Sequence, residues 1–166
     1  MSQPKITYPK ERERLDKSPS TALKKLVALK EVYLAHRYPN VPASFRPKPK
    51  YEDKSANGLT RCILDFMKFS GGFATRIQSQ GQYRPGVGGK KGTYTYGTTR
   101  KGTADIHAVI NGYHISIEVK VGKDRMSDDQ KQMQAEIQKA GGHYIIARSF
   151  QGFYDFITTH FPTSQL

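Results

Sequence analysis

Apolar and polar residues alternate almost without a break through residues 102–121, GTADIHAVINGYHISIEVKV, and an Asn111-Gly112 pair sits at the centre. Asn-Gly between alternating segments is a strong type I′ turn signal, so the pattern predicts a β-hairpin with Ile110 opposite Tyr113. Paired residue numbers then sum to a constant, which sets Asp105 opposite Glu118 and Thr103 opposite Lys120. Side chains alternate faces along a strand. One face carries Ala104, Ile106, Ala108, Ile110, Tyr113, Ile115, Ile117, Val119 and Val121. The other carries Thr103, Asp105, His107, Val109, His114, Ser116, Glu118 and Lys120.

The flanking pattern switches between periods of 3.6 and 2. Leu59, Cys62, Ile63, Phe66 and Met67 recur at helical spacing, predicting a helix over 55–70 that Gly71-Gly72 stops. Alternation of Phe73, Thr75 and Ile77 predicts a strand over 73–80. Residues 81–101 hold six glycines, three tyrosines, five basic residues and no acid, and read as a loop. A helix over 127–140 carries Met133, Ile137 and Ala140 on one side. A short buried strand over 143–148 follows, and a closing helix over 150–160 offers Phe153, Phe156, Ile157 and Phe161. The order from residue 55 is α-β-β-β-α-β-α, which predicts an α/β sandwich around a small mixed sheet with the hairpin at its centre.

Residues 1–54 differ in character. Prolines at 4, 9, 19, 39, 42, 47 and 49 bracket one predicted helix over 20–35, and residues 39–49 read as an extended linker. Two readings stand: an accessory arm that touches nucleic acid, or a helix packed on a main domain spanning 55–166.

A chain of 166 residues fits one domain with an appended arm. The 27 Lys and Arg against 14 Asp and Glu give a formal charge of +13, a field that favours a polyanion partner. A single cysteine, Cys62, excludes an internal disulfide and a multi-cysteine zinc site. No apolar run is long enough to span a bilayer and the N-terminus carries no apolar signal segment, so a soluble cytoplasmic protein with no membrane partner is expected.

Charge gives the hairpin its chemistry. Two carboxylates directly opposed on a sheet repel. Solvent, a raised pKa, the ammonium of Lys120 or a bound cation can offset that repulsion. A hard divalent ion takes carboxylate and carbonyl oxygens, which points to metal-assisted hydrolysis. Gln130 stands three residues after Ser127, the spacing of a capping box; it also shares a stripe with Met133 and Ile137, which turns its amide toward the acids. The tyrosines Tyr94 and Tyr96 and the cations Arg84, Lys90, Lys91, Arg100 and Lys101 of residues 81–101 suit stacking on bases and contact with phosphates. Arg76 and Gln78 on the preceding strand could line the same cleft. His107 and His114 share the polar face one step or more from the acids, with His107 the stronger auxiliary candidate.

The run Gly102-Thr103-Ala104-Asp105-Ile106, then Ile117-Glu118-Val119-Lys120, then Ser127-x-x-Gln130 resembles the PD-(D/E)XK nuclease superfamily. It is most similar to the VRR-NUC and Holliday-junction-resolvase-like branches. The resemblance covers roughly residues 55–148 and implies a restriction-endonuclease-like αβββαβ core. It further implies that Asp105, Glu118 and the main-chain carbonyl of Val119 bind Mg²⁺ or Mn²⁺, while Lys120 and Gln130 position the water that attacks a DNA phosphodiester. Two positions depart from the family pattern. Ala104 replaces the usual proline, and the predicted first helix lacks the glutamate many members carry, leaving Asn57 or Glu52 as substitutes. The expected activity is a metal-dependent deoxyribonuclease, an endonuclease with branched DNA as a candidate substrate and a homodimer as the form that makes two symmetric cuts. The alternative is a nucleic-acid-binding module that keeps the fold without the activity.

Overall fold

Both turn residues of the hairpin take positive φ, 50° at Asn111 and 81° at Gly112. That is the type I′ geometry whose twist matches the flanking strands. In a computed structural model describing residues 20–77, 81–89, 91–95 and 100–161, the hairpin strands run from Ile106 to Ile110 and from Tyr113 to Val119. Their register holds Ile110 opposite Tyr113 and Ile106 opposite Ile117, as the alternation predicts.

In chain order the elements are α1 (Thr21–Arg37), a 3₁₀ turn (Ala43–Phe45), α2 (Ala56–Phe69), β1 (Phe73–Arg76), β2 (Gln82–Arg84), β3 (Thr93–Thr95), β4 (Ile106–Ile110), β5 (Tyr113–Val119), α3 (Asp128–Lys139), β6 (His143–Ala147) and α4 (Phe150–His160). The main sheet has the order β1-β4-β5-β6. The first three strands are antiparallel, and β6 lies parallel to β5 after the crossover through α3. The fold is thus mixed α/β with four helices and a small mixed sheet.

Alternation along β4 and β5 gives the sheet two unlike faces. Ile106, Ala108, Ile110, Ile115, Ile117 and Val119 join Ile145 and Ala147 in one core with Leu59, Cys62, Ile63, Phe66 and Met67 of α2. Phe66 is fully buried and meets Phe150, Phe153 and Tyr154 edge-on, which locks α4 to α2. Each such side chain contributes about 1.5–3 kcal/mol by leaving water. Burial also pushes the Cys62 thiol up to about 12, so it stays a neutral core residue.

The opposite face is covered in part. Met133 of α3 packs with Ala104 and Tyr144, and Ile137 and Ile146 lie against them. Toward β1 and β4 this face is open, with Phe73 63% and Val109 40% exposed. The polar row of the hairpin therefore runs from under α3 into solvent.

One expectation needs correcting, and one open alternative is decided. Residues 81–101 are not simply a loop, because β2 and β3 pair antiparallel as a separate two-stranded sheet, Tyr83 opposite Tyr94. And α1 is no free arm. Ala22, Leu23 and Leu26 belong to the same core as the sheet, Ala22 N–H donates to Gln151 Oε1 at 2.9 Å, and Lys25 Nζ donates to Tyr154 Oη at 3.1 Å. The proline-bracketed helix is the one that packs on the main domain. Among the described residues no helix is long and apolar enough to cross a membrane.

Candidate functional site

Asp105 immediately precedes β4, and its backbone and side chain are held from opposite sides. Its carbonyl accepts from Ile77 N–H at 2.8 Å, just past β1, and its Oδ2 accepts from Val119 N–H of β5 at 2.9 Å. Within a strand the N–H and C=O of one residue point toward the same neighbour. The Val119 carbonyl is accordingly turned to the Asp105 side.

Glu118 is 1% exposed. Its Oε1 accepts from Gln130 Nε2 at 2.5 Å and pairs with Lys120 Nζ at 3.0 Å, while its Oε2 accepts from Tyr144 Oη at 3.4 Å. Burial raises the Glu118 pKa, the charge of Asp105 raises it further, and Lys120 and Tyr144 pull it back in part. Burial works against the Lys120 charge too. Glu118 and Asp124, the latter at 3.3 Å, outweigh that and hold the ammonium above the usual lysine value. Glu118 and Lys120 meet because residues i and i+2 share one face of a strand.

Both roles expected of Gln130 are filled by one side chain. Ser127 Oγ accepts from Gln130 N–H, and Gln130 Oε1 accepts from Ser127 N–H at 2.9 Å, closing the capping box of α3. With Oε1 occupied, the amide NH₂ is left to donate to Glu118. Replacing Ser127 by alanine is therefore expected to cost about 1 kcal/mol of stability. The Ser127 N–H that holds Gln130 Oε1 survives the substitution, so the amide stays on Glu118, and urea melts of Ser127→Ala against wild type measure the lost cap.

The substitutes for a first-helix glutamate are engaged elsewhere. Glu52 accepts from Lys54 N–H at 2.8 Å, from Ser55 N–H at 3.2 Å and from Ser55 Oγ, bonds that keep its pKa low and collar the start of α2. Asn57 Oδ1 accepts from Arg76 Nη1 at 3.1 Å. Arg76 sits opposite Ile106 and so lies on the face of the apolar row, not on that of the acids.

His107 is half-buried, opposite Ser116, with its ring 5.1 Å from that of His114. His107 Nε2 and Ser116 Oγ are both buried without a hydrogen-bond partner. Burial, then the neighbouring His114, lowers the His107 pKa. Two unmet polar atoms thus lie on the face of Asp105 and Glu118, two residues along each strand from them.

Arg84, Lys91 and Tyr94 are exposed on or beside the β2–β3 ribbon, and Lys101 is exposed at the turn before the hairpin. Arg100 is tied to α3 through Glu136, at 2.7 and 2.8 Å. Lys90, Tyr96 and Gln78 lie outside the described residues. Tyr144 and Asp124, which touch Glu118 and Lys120, escape the sequence reading. Tyr144 sits on β6, whose placement depends on the α3 crossover, whereas Asp124 lies four residues after Lys120 in the irregular turn that leaves β5, where no periodicity marks it.

Among the described residues no group of three or more His, Cys, Asp or Glu side chains is arranged to hold a metal. The donor set on hand is smaller: two carboxylates and the carbonyl of Val119. All are hard oxygens, the chemistry Mg²⁺ and Mn²⁺ prefer, and Mg²⁺ commonly keeps several waters beside one or two carboxylates. Comparison with known proteins returns no matching family model and no matching curated protein, so the functional reading rests on the site itself.

Proposed function

We propose that this chain is a divalent-metal-dependent deoxyribonuclease, an endonuclease built on the restriction-endonuclease-like αβββαβ core. The observation that carries this reading is the buried Glu118 carboxylate, met on one oxygen by both Lys120 and Gln130 and set beside Asp105. A buried acid next to a second acid is costly to keep ionised, and a cation between them removes the cost. Asp105, Glu118 and the Val119 carbonyl would hold Mg²⁺ or Mn²⁺. When bound, such an ion lowers the pKa of a water and offsets charge on a phosphoryl group. Lys120 Nζ donates toward the reacting oxygens and stabilises negative charge as it develops. Gln130, fixed by its capping box, holds the Glu118 carboxylate in one orientation. The charge of +13 and the exposed Arg84, Lys91, Tyr94 and Lys101 suit a DNA backbone and its bases.

Cleavage of linear, flapped and four-way DNA with Mg²⁺ or Mn²⁺ tests the reading. Wild type is expected to cut at least one substrate and Asp105→Ala none. Cutting that survives Asp105→Ala overturns the site. Salt-sensitive binding without cutting of any substrate leaves the alternative, a binding module that keeps the fold alone. Preference for four-way DNA would go with a dimer in solution, because a junction needs two symmetric cuts.

Metal binding has its own readout. A ligand held only by the folded state raises the melting midpoint, by the equivalent of about 2.7 kcal/mol at one hundred times its Kd. Millimolar Mg²⁺ or Mn²⁺ is expected to raise the midpoint of wild type and to leave the Asp105→Ala, Glu118→Ala double variant unmoved.

A further inference from the structure

The α1 side of the molecule carries a concave site away from the acids. α1 and the proline-rich chain that follows it enclose a cavity of about 590 Å³, bounded on one side by Arg61 of α2. The acids belong to the opposite face, under α3. The volume falls inside the roughly 300–1,000 Å³ of small-ligand sites.

Its lining combines two chemistries. Leu34, Tyr38, Val41 and Phe45 give an apolar wall, and the two rings remain wet, Phe45 80% and Tyr38 49% exposed. Lys30, Arg46, Lys48, Lys50 and Arg61 supply cations, and no carboxylate is among the described residues that line the cavity. Asp65 answers Lys30 at 3.6 Å. Arg46 is held by Nη2 to the Tyr38 carbonyl at 3.3 Å, yet its Nε is buried with no partner. Buried donors are nearly always met, so this one awaits an acceptor. Pro47 and Pro49 alternate with Lys48 and Lys50; their fixed φ and missing N–H keep the segment extended, with its cations in a row.

Exposed flat rings beside unneutralised cations match a base joined to a phosphate. A duplex keeps its base faces stacked and closed to such a cavity. We propose that the cavity binds one unpaired nucleotide of a single DNA strand, with the base on Tyr38 and Phe45 and the phosphate on Arg46, Lys48 and Lys50. The inference rests on the DNA partner of the proposed function and not on its hydrolytic step.

Fluorescence anisotropy in EDTA, where metal-dependent cutting is off, tests it with a labelled single-stranded oligothymidylate and a hairpin duplex. The variants are Tyr38→Ala/Phe45→Ala and Lys48→Gln/Lys50→Gln, with Lys139→Gln, exposed in the last turn of α3, as the control for a lost positive charge. All four pocket positions are at least partly exposed, and circular dichroism melts confirm folding. The aromatic variant is expected to bind the single strand roughly tenfold more weakly. Its duplex affinity stays within about twofold, because a closed base stack offers the rings no face. The lysine variant is expected to flatten the salt dependence, and Lys139→Gln to stay within about twofold of wild type. Single-strand affinity that is absent in wild type, or unchanged in both pocket variants, overturns the pocket. So does an equal loss on duplex and single strand, or competition by free thymidine monophosphate as strong per nucleotide as by the strand. A wild type that cuts DNA while the pocket variants bind normally overturns the pocket and leaves the nuclease reading standing. Pocket variants that bind weakly in a chain that cuts nothing support the pocket and remove the hydrolytic step.

Discussion

Replacing Glu118 by alanine is expected to lower cleavage by a factor of about 10³ or more, the scale seen when a preorganised charge-stabilising group is removed. The same change strips one partner each from Lys120 Nζ, Gln130 Nε2 and Tyr144 Oη. Lys120 is 7% exposed and, among the described residues, keeps only Asp124 as an ion-pair partner. Breaking a buried ion pair by removing one partner costs about 3 kcal/mol or more, less here by what Asp124 still offsets, so Glu118→Ala should also melt early. Glu118→Gln separates the two effects. It preserves volume and a carbonyl acceptor for Lys120, so its stability should stay near that of wild type while cleavage falls as far as in the alanine variant. Cleavage by Glu118→Gln within about tenfold of wild type in single-turnover assays would contradict the role of this charge.

The pH dependence has a definite sign. The Glu118 pKa lies above its ordinary value of 4.5 in the fold. Its contribution to stability in metal-free buffer is therefore fully present below that value and is lost as pH rises through the folded pKa. Glu118→Gln should remove this part of the slope in urea midpoints measured across that window.

Gly102→Ala is expected to have the second largest effect, about 2–4 kcal/mol of stability together with a loss of cleavage. Gly102 has φ of +78°, and a Cβ there would stand 2.2 Å from the Asp129 carbonyl oxygen and 2.9 Å from Gln130 N. Those are backbone atoms of the first turn of α3, so no rotamer change relieves the overlap. The turn before Asp105 and the helix carrying Gln130 must move apart, and both sides of the site move with them. Gly88→Ala is the control. Its φ of +65° is also left-handed, but nothing lies within 4 Å of the added Cβ. It should cost only the left-handed conformation, about 1 kcal/mol, and leave cleavage unchanged. Equal melting shifts in the two variants would show that the approach to α3 carries no energy.

The two variants probe different kinds of information. The Glu118–Lys120 pair follows from period-two alternation and is legible in a stretch of three residues. The capping box of Ser127 and Gln130 is equally local, because a helix start is satisfied within its own first turn. The closeness of Gly102 to Asp129 is not local. It joins residues separated by the whole hairpin, and only packing of α3 against the sheet creates it.

The same division separates other contacts of the site. Local alternation lets Arg76 line the cleft of the acids or a plain strand face; which one it takes depends on the β4 residue it opposes, and that is Ile106. Tyr144 reaches Glu118 because β6 pairs parallel to β5 with Tyr144 beside Ser116. That register is set by the α3 crossover and not by the alternation within 143–147. The β2–β3 ribbon hid in a glycine-rich segment whose three-residue strands are too short for a periodic signal.

By itself the chain determined the hairpin, its register, the two unlike faces and the pairing of Glu118 with Lys120. Each depends on side-chain period and turn geometry within a few residues. Tertiary structure alone decided that α1 joins the core, that α3 covers only part of the polar face, and that Glu118 is buried with Tyr144 as a partner beside the expected Gln130. Those outcomes depend on contacts between distant segments, where the burial of apolar surface selects one arrangement among many that the local pattern allows.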